Sequence, residues 1–263
     1  MIIIKIGGGR EINLKGVAAD LALLKEPFVI VHGANAARDE LAEKLNKQKK
    51  VITSISGYSS VFSDEDTIDL MMMAYAGLKN KRIVELLQQA GVNAVGLSGL
   101  DGKMIEGKRN TGIKVREEGK TKIVRDFSGK PKKINMPLLN LILQNGYIPV
   151  LSVPIIDENN FAINSENDDI VALLQSELKA DKIIQLIEAP GFLADKNNPD
   201  SVVKNISQKE LEALENQVDG RMKRKILALR KLFEAGPTTV FIYDGRAEHP
   251  VIDALNEKGT KVE

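Results

Sequence analysis

The chain has 263 residues, 43% hydrophobic and 28% charged, an ordinary globular composition with room for one large domain or two lobes. Its 37 Lys and Arg against 36 Asp and Glu leave a net charge of +1, which argues against a nucleic-acid or membrane-surface binder. With no cysteine and only His32 and His249, disulfides, thiolate catalysis and Cys- or His-rich metal centres are excluded, and no run reaches the ~18 apolar residues of a membrane span.

Ile2-Ile3-Ile4-Lys5-Ile6 is β-branched and runs into Gly7-Gly8-Gly9, a strand meeting a glycine turn. The opening Met-Ile-Ile-Ile-Lys is too short for a signal sequence, so a cytoplasmic protein is expected. Leu14, Val17, Ala18, Leu21 and Leu24 have helical spacing. Phe28 to Gly33 reads as a second buried strand, followed by a helix near residues 35–46. Ser63-Asp64-Glu65-Asp66 reads as a cap with an acidic first turn, opening a helix to about Gly77. A separate helix near 80–90 stops at Gly91, and Ala94 to Leu97 is a strand. Glycines 107, 119 and 129 punctuate short alternating segments over 103–134, which predicts antiparallel hairpins on the margin of the main sheet. Asn135 caps a helix ending near Asn145-Gly146, and Ile148 to Leu151 is a strand. The alternation continues with a helix over 166–178, a strand from Lys182 to Ile187, helices near 208–214 and 221–235, and a strand from Thr239 to Tyr243. Strand–helix alternation of this kind implies an α/β fold, a largely parallel sheet covered by helices on both faces.

Chemistry-bearing residues gather where strands end. Lys5 and the glycines after it put a cation beside backbone N–H groups that an anion can approach, although neither a Walker loop nor G-x-G-x-x-G is present. Val31-His32-Gly33-Ala34-Asn35 closes a second strand in the same way, and two such ends suggest one crevice. His32 is better read as a satisfied strand-end histidine than as a base. Asn164-Ser165-Glu166-Asn167-Asp168-Asp169 opens the helix at 166, and ordinary capping accounts for much but not all of that polar run. Asp219 to Lys225 carries four basic residues in seven at a helix N-terminus, where they make an intense anion site.

Together with Gly96-Leu97-Ser98-Gly99-Leu100-Asp101-Gly102, Ala162-Ile163-Asn164 and Gly220-Arg221-Met222-Lys223-Arg224-Lys225, these elements resemble the amino-acid kinase family, in its acetylglutamate kinase branch. The likeness is greatest to the aminoadipate and glutamate kinases whose substrate rides on a small acidic amino-group carrier protein. The resemblance implies a three-layer αβα sandwich of the carbamate kinase-like fold, with an amino-acid substrate lobe over 1–178 and a nucleotide-binding lobe over 179–263. It implies Lys5, Lys225 and Asp168 as catalytic residues, and Gly7, Gly8, Gly33, Glu188 and Gly191 around the nucleotide and its phosphates. Substrate contacts fall on Gly33, Ala34, Val61 and Asn164, with ATP as co-substrate, Mg²⁺ carried by ATP rather than by a protein metal site, and a homodimer. The implied product is an acyl phosphate in lysine or arginine biosynthesis, with no nucleic-acid or membrane partner.

Three positions depart from the family pattern: Ala34 follows Gly33 where a glycine is usual, Glu166 replaces an aspartate, and Val61 stands where an arginine holds a substrate carboxylate. No Arg or Lys occurs from Val51 to Ser63. Either another cation such as Lys49 or Lys50 folds over the pocket, or the substrate lacks a carboxylate there, or the protein no longer phosphorylates an amino acid. Altered substrate choice with phosphoryl transfer retained is the preferred expectation. The competing readings are an acetylglutamate kinase, a non-catalytic regulator that kept the fold, and a dinucleotide dehydrogenase. The last is disfavoured by the missing glycine fingerprint.

Overall fold

The computed structural model describes the whole chain except Ser56, Tyr58, Glu118, Gly119, Lys196, Val218 and Asp219, and the side chains at 117, 216–217 and 220–225 also lie outside that description. In chain order the elements are β1 (Ile2–Ile6), α1 (Leu14–Leu23), β2 (Phe28–His32), α2 (Asn35–Lys44), β3 (Val51–Thr53), β4 (Ser59–Val61), α3 (Glu65–Met71), α4 (Asn80–Gln89), β5 (Ala94–Ser98), β6 (Ile105–Arg109), β7 (Ile113–Glu117), β8 (Lys120–Val124) and β9 (Gly129–Ile134). They continue with α5 (Met136–Gln144), β10 (Ile148–Ser152), β11 (Ile155–Ile156), β12 (Ala162–Ile163), α6 (Asn167–Leu178), β13 (Lys182–Ile187), β14 (Asn205–Ile206), α7 (Gln208–Gln217), α8 (Gly220–Glu234), β15 (Thr239–Asp244), α9 (Pro250–Leu255) and β16 (Thr260–Val262).

Eight strands form the central sheet in the order β14-β16-β15-β13-β1-β2-β10-β5, and every neighbouring pair is parallel except β15 with β16. Burial on both faces explains why β1 and β2 are nearly continuous apolar runs. Side chains alternate across the sheet, so Ile2, Ile4 and Ile6 pack with Val17 and Leu21 of α1, Leu87 of α4 and Val251 of α9. Ile3, Val29 and Val31 pack on the opposite face with Val171 of α6 and Leu229 of α8. The result is a three-layer α/β/α sandwich.

Side-chain caps at Asn13, Asp64 and Asn135 accept from the N–H groups of Gly16, Thr67 and Leu138, so α1, α3 and α5 begin where polar residues precede an apolar stripe. Two expectations are corrected. The chain does not break at Gly77: a π-helical stretch, Met72–Lys79, joins α3 to α4 without interruption. Gly77 is tolerated there because it stays helical, and the stretch buries Ala74 and Tyr75 inward. The segment 103–134 does not lie on the margin of the main sheet either. Strands β6 and β9 join a separate four-stranded sheet, β12-β11-β6-β9, and β7 with β8 forms its own hairpin. Strand β6 finds a parallel partner in the distant β11, a pairing that local alternation cannot reveal.

Candidate active site

The site lies beyond the carboxyl ends of β1, β2 and β13, the usual position in an open parallel sheet. In register, Lys5 sits between Val31 and Gln185. It shares the face of Ile3 and therefore points toward α6, where its ammonium binds the Asp168 carboxylate. Both side chains are mostly buried, at 17% and 26% exposure, so the pair is shielded yet open on one side.

At the ends of β1 and β2 two backbones touch. A Cβ at Gly8 would stand 2.8 Å from the Asn35 nitrogen and 2.9 Å from that of Ala34, and one at Gly33 would stand 2.8 Å from the Gly8 nitrogen. Only glycine permits this approach. Gly7 donates its N–H to the Leu186 carbonyl (2.9 Å), tying the turn to β13. Gly8, Gly9, Asn35, Ala36 and Glu188 line a cavity of about 390 Å³. The Glu188 carboxylate folds over Gly9 and accepts from the Glu11 N–H at 2.6 Å. A second cavity of about 220 Å³, sharing Ile187 and Ala189, is lined by Lys5 and Asp168 together with Gly191, Phe192, Leu229 and Ile242. One compartment is thus polar and glycine-walled, the other largely apolar with a lysine in its lining.

Capping does not account for the polar run before α6. The N-cap residue is Glu166, with no side-chain hydrogen bond to the helix, while Ser165 Oγ and Asn167 Oδ1 are buried without partners among the described residues. The Asp169 N–H is taken by the Glu166 carbonyl (3.1 Å), and among the described residues the N-cap side chain bonds none of the first-turn N–H groups. Lys231 of α8 binds Asp169 at 2.6 Å and holds α8 against α6.

Asn164 and Val61, both expected to contact substrate, meet through Ser63. Asn164 Nδ2 donates to Ser63 Oγ (3.0 Å), and Ser63 Oγ donates to the Val61 carbonyl (3.2 Å). The buried Asp126 carboxylate accepts the Ser63 N–H (3.1 Å), and Phe127 bridges by donating to Ser63 O and accepting from Asn164 N, both at 2.7 Å. Ala34 is fully buried as the N-cap residue of α2. Neither proposed substitute cation points freely into the site: Lys49 binds Asp39 at 2.8 Å, and Lys50 lies 4.6 Å from the centre of the Phe62 ring. The Lys225 side chain lies outside the described residues; its backbone is in the first turns of α8.

His32 is on the face opposite Lys5, in register with Ile6, and its ring contacts the Asn80 amide at 3.1 Å. Burial pushes its pKa down to about 4, so it is a neutral core residue. Tyr75 and Gln185 join the site only in the folded structure. Tyr75 donates to Asn35 Oδ1 from the π-helical stretch, with its hydroxyl pushed by burial up to about 12, and Gln185 is the polar interruption in β13 that lines the cleft beside Lys5. A polar residue inside an otherwise apolar central strand was the available signal for Gln185, whereas nothing local marks Tyr75.

The residues 1–244 match the pattern of the amino acid kinase family. Among named relatives, a [LysW]-aminoadipate kinase of Thermus thermophilus is 40% identical over 268 residues, covering all of both chains. An acetylglutamate kinase of Methanosphaera stadtmanae is 30% identical, over 95% of this chain and 86% of the relative. Carbamate kinase of Giardia shares the fold, with a TM-score of 0.69 at 14% identity over 99% of this chain and 97% of its own. A lysine-and-glycine cleft at the strand ends, on this architecture and with this likeness running through the whole chain, leaves one conclusion: the chain belongs to the amino acid kinase family and is a phosphotransferase.

Proposed function

We propose that the protein transfers the γ-phosphoryl group of ATP to the side-chain carboxylate of an aminoadipate- or glutamate-type substrate carried on a small acidic amino-group carrier protein. The product is an acyl phosphate of the kind used in lysine or arginine biosynthesis. The observation that carries the reading is the Lys5–Asp168 pair beside the Gly8–Gly33 backbone contact.

The acceptor carboxylate is already ionised at pH 7, so no general base is required, and a neutral His32 on the wrong face is no obstacle. The oxygen–phosphorus bond forms as the bond to ADP breaks, and no proton changes hands. The barrier is repulsion between anions, and the residues' task is to position and neutralise. Lys5 supplies a cation whose head is fixed by Asp168. The N–H groups around Gly8 and the uncapped start of α6 supply dipoles aimed at phosphate oxygens. Lys225, at the start of α8, is the second neutralising lysine in this reading, while Gly191 lines the apolar compartment and Gly7 ties the glycine turn to β13.

The apolar cavity of Phe192, Leu229 and Ile242 suits a nucleotide base, which supports a nucleotide lobe over 179–263 and a substrate lobe over 1–178 within one sheet. Among the described residues no three Asp, Glu or His side chains are grouped to hold a metal. In this reading Mg²⁺ would be held by ATP phosphates and water and would neutralise phosphate charge there. On the substrate side, the β7–β8 hairpin is tied to Ser54 and Ile55, beside the strand that leads into Ser63. Residues 103–134 hold eleven basic and four acidic residues, a surface suited to an acidic carrier. The reading also includes a homodimer, for which Met73 and Leu78, 46% and 53% exposed on the π-helical stretch, are available apolar contacts.

The test is hydroxylamine trapping of the acyl phosphate, with ATP and carrier-linked aminoadipate or glutamate. Hydroxamate formation that requires both substrates is expected. ATP turnover only with an acceptor lacking a carboxylate would overturn the reading.

A further inference from the structure

An acceptor of the proposed kind carries two carboxylates, one that receives phosphate and one that must be recognised. The second needs a cation, because a carboxylate buried without a partner is strongly disfavoured. The strand pair leading into the Ser63–Asn164 junction offers none between Val51 and Ser63, and Lys49 and Lys50 are engaged with Asp39 and Phe62.

Arg109 reaches this junction from a different sheet. It ends β6, and its guanidinium lies 3.8 Å from the centre of the Phe127 ring. Its Nε donates to the Asp126 carbonyl at 2.9 Å. Phe127 is the residue whose backbone joins Ser63 to Asn164, so the guanidinium is stacked on the segment that ties these two together, and Asn164 leads directly into the helix that carries Asp168. The stacking and the Nε hydrogen bond hold its plane, while no described group takes its two terminal nitrogens. Glu158, the nearby carboxylate, accepts from the backbone N–H of Arg109 at 2.9 Å rather than from the guanidinium. A half-buried, oriented guanidinium with a free edge is the fork that a carboxylate fits.

We propose that Arg109 binds the non-reacting α-carboxylate of the acceptor and so determines its selection. The inference rests on the carboxylate-kinase reading above. It replaces Lys49 and Lys50 as the source of the missing charge and gives the β6 strand a direct part in substrate choice.

The test compares N-acetyl-aminoadipate with its α-carboxamide analogue as acceptors, in the wild type, Arg109→Met and Arg109→Lys. Arg109→Met keeps an apolar chain over Phe127 and should raise KM for the carboxylate acceptor about 10–10²-fold, the worth of one or two charge-assisted hydrogen bonds. Its KM for ATP should stay within about twofold and its rate with the carboxamide should match the wild type, as a lost charge contact predicts. Arg109→Lys should fall between the two, since it keeps the charge without the fork. Equal losses with carboxylate and carboxamide, or an unchanged KM for the carboxylate in both variants, would overturn the assignment. A wild type that phosphorylates neither these acceptors nor carrier-linked aminoadipate or glutamate would instead remove the carboxylate-kinase reading, and this inference with it.

Discussion

Lys5 and Asp168 are 163 positions apart in the chain and meet because the strand alternation aims Lys5 at the N-terminus of α6. If Lys5 neutralises transferring phosphate, Lys5→Ala should lower kcat by about 10²–10³-fold while KM for ATP changes far less. Lys225→Ala should behave alike in steady-state kinetics, and an unchanged kcat would remove that lysine from the reaction. The two histidines make opposite contributions to stability. The folded pKa of His32, about 4, lies below the ordinary 6.5. Above pH 6.5 both states hold a neutral ring. As the pH falls from 6.5 through about 4, the unfolded chain takes the proton first, and the folded state loses up to about 3 kcal/mol. Urea midpoints should therefore drop across that window, and a His32→Gln protein should show a shallower drop; parallel curves would show that burial of this ring is not the cause. His249 accompanies the buried Asp20 carboxylate at 3.0 Å, which raises its pKa. Its contribution is present below pH 6.5 and is lost as pH rises through the raised value.

At the scale of elements, the glycine turn after β1 and the end of β2 behave as one unit. Neither turn can carry a side chain without separating the strands, since a Cβ at Gly33 points at the Gly8 backbone rather than at a yielding side chain. Gly33→Ala should cost about 1–3 kcal/mol of stability by overpacking and should depress kcat as well, because the Gly8 and Asn35 backbones it would displace line the polar cavity. Denaturant unfolding and steady-state kinetics on one preparation would show both effects; an alanine tolerated without change in either would mean that the turns are not coupled. The π-helical stretch is the second such unit. Its inward turn carries Tyr75 to Asn35, linking this helix to the wall of the polar cavity. Irregular helical turns of this kind recur at functional sites.

Across the whole molecule, charge is distributed unevenly. A chain of net charge +1 concentrates a local excess of seven positive charges in residues 103–134, and Lys114, Arg116 and Lys120 are exposed on the β7–β8 hairpin. Lysines on exposed strand edges also block sheet-to-sheet pairing, so part of this pattern serves solubility. If the hairpin also steers an acidic carrier, kcat/KM for carrier-linked substrate should fall about tenfold or more between low and physiological salt. The value for a small acetylated acceptor should barely move. Lys120→Glu with Lys122→Glu should remove that difference, and salt-insensitive turnover of the carrier-linked form would count against steering.

Local chemistry was sufficient to determine much of this protein. Apolar runs of strand length between helical stripes specify a parallel sheet with two covered faces, and Asn13, Asp64 and Asn135 mark helix starts by hydrogen bonds made within one turn. The side of the sheet on which Lys5 and His32 fall also follows from alternation, once the buried faces are known. Other features depend on contacts that no local pattern encodes. The Gly8–Gly33 approach, the parallel partnership of β6 with β11, the inward turn of Tyr75 and the stacking of Arg109 on Phe127 each join segments distant in sequence. Gly77 looked like a helix stop because glycine lowers intrinsic helix propensity, but packing of Ala74 and Tyr75 into the core outweighs that small preference. Residue type and spacing thus determined the architecture and the chemistry of the strand ends, while only the tertiary structure decided which side chains share a site, because that depends on packing across the whole sheet.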